Sequence, residues 1–176
     1  MDFIPKSNWQ WVFDKQKSLL TLQMGSAVID LVFQPNKLVL PSHLPIPFTV
    51  SDVARYIELF EHQALKSYQP EMACKIILHI LAIELFHKPI LSKSWLFTDS
   101  QPHDRINLDL MSHVILTAKV KHESATYLVI EDEKEFVLCL LIDQIHQITA
   151  RKSLPQFQII KVMSDKLTVI KAVTAY

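Results

Sequence analysis

Gly25 is the single glycine in a chain of 176 residues. Phosphate-cradling loops need several glycines so that backbone N–H groups can approach the ligand, so this scarcity excludes a P-loop and a dinucleotide fingerprint. Cysteine is almost as scarce. Cys74 and Cys139 each lie inside an apolar run and read as buried free thiols rather than as a disulfide or a reactive site. No Cys-x-x-Cys occurs, and the eight histidines are scattered with no i, i+4 pair to grip an ion from one helix face. His79 and His87 fall on one predicted helix, but eight positions is ~12 Å of rise, too far for one metal. No cofactor or metal is expected.

Net charge is also missing. Lys plus Arg and Asp plus Glu both number 18, which argues against a nucleic-acid binder, since phosphate contacts supply much of that affinity. The N-terminus has no signal-peptide apolar core. The longest apolar stretch, Ile76 to Phe86, carries His79 and Glu84 and falls far short of the ~20 residues a membrane span needs. These features predict a cytosolic protein without membrane insertion. For nucleophilic catalysis nothing resembles Gly-x-Ser-x-Gly around Ser26, and Cys139 sits in the middle of a predicted strand. Asp30, between Ile29 and Leu31, reads as a solvent-facing strand residue or as a poised carboxylate. No enzyme is expected.

What the chain does have is apolar content: 49% hydrophobic residues against 20% charged, a globular balance. A mean hydropathy of +0.18 points to a generous core or to apolar surface kept for a partner. Trp9–Phe13, Leu20–Met24 and Ala27–Phe33 read as three antiparallel strands joined by a polar hairpin and by the Gly25-Ser26 turn. A loop with Pro41, Pro45 and Pro47 follows. Thr49 or Ser51 caps a predicted helix from about Asp52 to Lys66, with Val53, Tyr56, Ile57, Phe60 and Ala64 on one stripe. Pro70 opens a second helix that runs to about His87 and is apolar around most of its circumference, the centre of the first half's core.

After Pro89 the pattern is strands only: Ser94–Thr98, Arg105–Leu110, Val114–Lys119, Thr126–Glu131, Glu135–Ile142, Ile145–Ala150, Gln158–Met163 and Lys166–Ile170, with turns at Asp132-Glu133-Lys134 and Ser164-Asp165. Strands at this spacing with no helix between them suggest a small barrel or sandwich. The expected class is α+β. An N-terminal α/β domain of antiparallel strands and two helices covers 1–90, and an all-β, barrel-like C-terminal domain covers 91–176.

The most distinctive segment is His87-Lys88-Pro89-Ile90-Leu91-Ser92-Lys93-Ser94-Trp95, at the junction of the two halves. It reads equally as a helix stop whose lysines complement the negative end of the dipole, or as a basic patch beside an aromatic anchor aimed at an acidic partner. An apolar pocket for a small molecule in the N-terminal domain is the rival reading for the whole protein.

Lys88-Pro89-x-x-x-Lys93-Ser94-Trp95 resembles a stretch of the ZapC family of bacterial cell-division proteins. Asn8-Trp9-x-Trp11 with Asp14 resembles the family's opening strand, Leu138-Cys139-Leu140-Leu141 a late strand, and Ile160 to Leu167 the closing hairpin. The resemblance implies a non-enzymatic protein at the midcell ring that binds FtsZ directly, favours lateral bundling of its protofilaments and lowers its GTP turnover. It implies a fold of an α/β part followed by a twisted β-barrel part, and no cofactor. By the same resemblance Lys88, Lys93, Trp95 and Lys166 are partner-binding residues, Lys166 standing where relatives tend to carry arginine, whose planar fork a lysine does not reproduce. Leu22 aligns with an apolar position that supports an N-terminal pocket. Bundling needs more than one filament contact per particle, supplied by two faces of a monomer or by a weak dimer.

Overall fold

The computed structural model describes residues 3–43, 45–100 and 108–170. The chain divides into two compact units, Met1–Pro89 and Ile90–Tyr176.

In the first unit, β1 (Trp9–Asp14), β2 (Leu19–Met24), β3 (Ala27–Asp30) and β4 (Ile46–Pro47) form an antiparallel sheet of order β3-β2-β1-β4. Alternation puts Trp9 and Trp11 of β1 on the buried face, and Leu20, Leu22 and Met24 of β2 are buried beside them. The β2–β3 hairpin closes through Gly25 at φ +68°, a backbone conformation that an L side chain adopts only under strain, and here its missing Cβ lies 3.3 Å from Asn8 Nδ2. Proline in β4 is tolerated because β4 is an edge strand that pairs with β1 alone.

Helix α1 (Val50–Glu61) starts on a capping box: the Asp52 N–H donates to Thr49 Oγ1 (3.2 Å) and the Thr49 N–H to Asp52 Oδ2 (2.8 Å). It ends at Glu61, and a 3-10 turn (Gln63–Leu65) replaces the final turn expected as far as Lys66. Helix α2 (Pro70–Phe86) opens on its proline and buries every residue from Ile76 to Ile83, which makes it the core element of this unit. Arg55 ties the helices together, 2.8 Å from Glu84 on α2 and 2.9 Å from Glu58 on its own helix. β3 ends at Asp30, earlier than the expected Phe33, and Asp30 is exposed and paired with Lys17 at 2.7 Å.

In the second unit, β5 (His113–Thr117), β6 (Ser124–Asp132), β7 (Phe136–Leu141), β10 (Ile159–Met163) and β11 (Thr168–Val169) form an antiparallel sheet of order β10-β7-β6-β5-β11. β8 (Ile145–Thr149) and β9 (Lys152–Pro155) make a separate two-stranded ribbon. Ile148 and Leu154 of the ribbon pack on Val114, Leu116, Tyr127, Val129, Cys139 and Val162 of the sheet to form one core. In its centre His146 accepts from Tyr127 Oη at Nδ1 (2.7 Å) and donates from Nε2 to the Glu123 carbonyl (2.9 Å).

The α+β class stands. The barrel does not, because the described strands leave an open sheet whose edges are β10 and β11, with no closure between them. Ser94–Thr98, expected as a strand, is a 3-10 turn (Ser94–Leu96) followed by a single bridge from Phe97 to Ala118. Of the expected strand Arg105–Leu110, residues 105–107 lie outside the described residues and 108–110 are not strand. Lys166–Ile170 shortens to the two residues of β11 because Ser164–Lys166 forms a 3-10 turn first. No helix among the described residues is long and apolar enough to cross a membrane, which says nothing of strand-built membrane proteins.

Candidate functional site

Residues 92–100 run as a strap from one edge of the second unit's sheet toward the other. On the β10 side the Lys93 N–H donates to the Lys161 carbonyl (2.8 Å), and Ser94 Oγ accepts from the Met163 N–H (2.7 Å). On the other side the Lys119 N–H donates to the Leu96 carbonyl (2.8 Å), and the Thr98 N–H to the Thr117 carbonyl (3.0 Å). The Ser100 N–H and Oγ then both reach the Asp165 carbonyl at 2.8 Å. Edge strands need their free backbone groups covered, and the strap does this for β10. Ser94 makes the turn possible. Its buried hydroxyl bonds Ser92 Oγ at 2.7 Å as well as the Met163 N–H, so the chain is pinned on its inner side just where the next residue, Trp95, turns outward.

Between the strap and the end of β10 lies a half-open concavity of about 220 Å³, with walls that include Trp95, Thr98, Asp99, Lys119, Met163 and Lys166. Trp95 is 67% exposed, an unusual state for the largest apolar side chain, and Phe97 two residues on is buried in the core. Lys166 is the reverse case: a lysine whose side chain is only 14% exposed. Its ammonium donates to Asp99 Oδ1 and lies 3.6 Å from Asp165 Oδ1. The hydrogen bond to Asp99 raises the Lys166 pKa, against the opposing pull of desolvation. The same hydrogen bond, followed by the charges of Lys166 and of Lys119, lowers the pKa of Asp99.

The structure therefore places Trp95 and Lys166 on one surface, with Lys93 exposed on the strap just before Ser94. Lys88 and Leu22 belong to the first unit. Lys88 is exposed, with Nζ donating to the Asn36 carbonyl at 3.1 Å and its N–H to the Lys37 carbonyl at 2.9 Å. Leu22 is fully buried between its strand partners Trp11 and Ile29. Asp99, Lys119, Thr98 and Met163 escaped the reading of the sequence. The ion pair that unites Asp99 with Lys166 joins positions 67 residues apart, and no periodicity or motif reports a contact of that range. Among the described residues no three His, Cys, Asp or Glu side chains are grouped to hold a metal ion.

Two family descriptions match the chain: "Cell-division protein ZapC, N-terminal" over residues 2–88 and "Cell-division protein ZapC, C-terminal" over residues 89–173. Among curated relatives, a "Cell division protein ZapC" of Psychromonas ingrahamii is 42% identical over 172 residues, covering 98% of this chain and 91% of its own. Proteins of the same name from Proteus mirabilis and Aeromonas hydrophila are 30% and 27% identical, each match covering 93% of this chain and 88% and 90% of theirs.

Proposed function

The chain belongs to the ZapC family of cell-division proteins, and we propose that it serves division by binding FtsZ at the midcell ring in the cytoplasm, bundling its protofilaments and slowing its GTP turnover without catalysis of its own. FtsZ enters through the family resemblance. What supports a binding role at a definite place is the concavity beside Trp95. An exposed tryptophan on a pinned turn, next to lysines, has the makeup of a binding hot spot: a rigid apolar anchor with charges at its rim. An exposed charge contributes only ~0–1 kcal/mol, but reversing it adds repulsion to the lost attraction, so the lysines steer and select an acidic partner while Trp95 anchors it. On this reading Lys88 is a contact of the first unit, Lys166 is the innermost cation of the concavity, and Leu22 acts only as support through the core of its sheet.

Sedimentation with FtsZ and GTP tests this. Wild-type protein should enter the pellet with bundled filaments while phosphate release falls. Lys88→Asp combined with Lys93→Asp, shown to be folded by circular dichroism, should stay in the supernatant. Trp95→Ala should weaken binding about tenfold, the usual effect of removing a hot-spot tryptophan. Co-pelleting of the double lysine variant at the wild-type level would remove these residues from the binding surface.

A further inference from the structure

Lys166 and Asp99 differ in a way their pairing conceals. The lysine side chain is 14% exposed and the aspartate side chain 76%. With its stem covered, Lys166 has its ammonium held in one place at the rim of the concavity, where Asp99 bonds it and Asp165 Oδ1 lies 3.6 Å away. The Asp99 side chain is not covered in this way. The pair is therefore one-sided: Lys166 is held in place by its covered stem, and the exposed Asp99 is replaceable.

We propose that Asp99 is a resident stand-in for a carboxylate of the partner, holding Lys166 until an acidic side chain of the docking protein takes its place. The proposal rests on the concavity being the partner-binding surface. Three observations carry it. First, Asp99 lines the concavity from its solvent side, next to Trp95 and Thr98, so an incoming carboxylate meets the same ammonium from the same opening. Second, the neighbours of Asp99 are fastened independently of its side chain, Thr98 to Thr117 and Ser100 to Asp165, so the carboxylate swings away without freeing the strap. Third, Lys119 lines the same concavity, so a second cation is at hand for the acid that enters. The exchange swaps one carboxylate for another on Lys166 and returns Asp99 to water, so Lys166 keeps a carboxylate partner throughout. Asp99 then sets specificity by competition. A partner group that is merely polar cannot displace it, whereas one that is acidic and reaches past Trp95 does.

The expected consequence has the opposite sign to that of a contact residue: Asp99→Asn strengthens binding. Full-length wild type, Asp99→Asn, Lys166→Met and the double variant are titrated with FtsZ, and separately with hexaglutamate as a bare carboxylate probe, followed by amide NMR shifts at Thr98, Ser100 and Lys119. Asp99→Asn should bind FtsZ about two- to fivefold more tightly, with a steeper loss of affinity in salt. It should also shift those amides at lower hexaglutamate concentration than wild type, and Lys166→Met in the same chain should abolish both gains. Equal or weaker binding of both ligands by a folded Asp99→Asn overturns the proposal. If no variant binds FtsZ while hexaglutamate still separates Asp99→Asn from wild type, the choice of FtsZ as partner fails and the role of Asp99 stands.

Discussion

His79 has both ring nitrogens committed inside the first unit. Nδ1 donates to the Lys75 carbonyl at 2.6 Å, and Nε2 accepts from the Val32 N–H at 3.3 Å, so only the neutral ring makes both bonds. Burial pushes its pKa down to about 4 from 6.5. The unfolded chain therefore takes up this proton first as pH falls. The stabilisation is complete above about pH 6.5 and is lost as pH drops toward about 4, by up to about 3 kcal/mol for a shift of this size. Burial lowers the pKa values of His87 and His113 as well, with the same sign. Urea unfolding at pH 7 and pH 4.5 should show this decline, and His79→Gln should flatten it while lowering stability at pH 7. A His79→Gln curve that runs parallel to wild type across that range would remove His79 as its source. The histidine was visible in the sequence as a polar residue on an apolar helix. Its role was not, because the Val32 N–H that fixes its tautomer lies 47 residues away.

The strap is the element on which the site depends, and its hydroxyl pins are its weak point. Ser94→Ala leaves the half-buried Met163 N–H without its acceptor and strips Ser92 Oγ of a partner, a loss of about 1–2 kcal/mol. The melting temperature should drop by several degrees, and partner binding should weaken more than that drop explains, because the turn beneath Trp95 loosens. Unchanged stability would mean that water replaces the serine hydroxyl at no cost. The same element shows what sequence patterning carries and what it leaves out. Ser94–Thr98 is a short aromatic-rich apolar run between two polar residues, which reads as a strand, but its burial has no period of two: Ser94 and Phe97 are buried, Leu96 and Thr98 half-buried and Trp95 exposed. The ladder that would make it one is missing: it bonds β10 at one end and the end of β5 at the other, one or two bonds each. Helices α1 and α2 were legible because 3.6-residue periodicity, a Thr-x-x-Asp cap and a first-turn proline all agree. β4 and β9 were missed for the converse reason, each being short, proline-bearing and defined only by its strand partner.

At the scale of the whole molecule the charges cancel, 18 against 18, so any attraction to an acidic filament is local. The residues proposed to make that attraction are divided between the two compact units: Lys88 in Met1–Pro89, and Lys93, Trp95 and Lys166 in Ile90–Tyr176. Bundling demands two filament contacts per particle, whereas binding demands one, so variants in separate units dissociate the two activities if each unit carries its own contact. In the intact chain, Lys88→Asp alone and Trp95→Ala alone should each still sediment with filaments at saturating concentration but give less than half the wild-type light scattering. The two together should lose sedimentation as well. Loss of binding and bundling in constant proportion across all three variants would instead mean one contact per chain, and bundling would then require that chains associate. Sedimentation equilibrium of the protein without FtsZ decides that second arrangement: a single monomeric species at bundling concentrations leaves the divided surface as the source of the second contact.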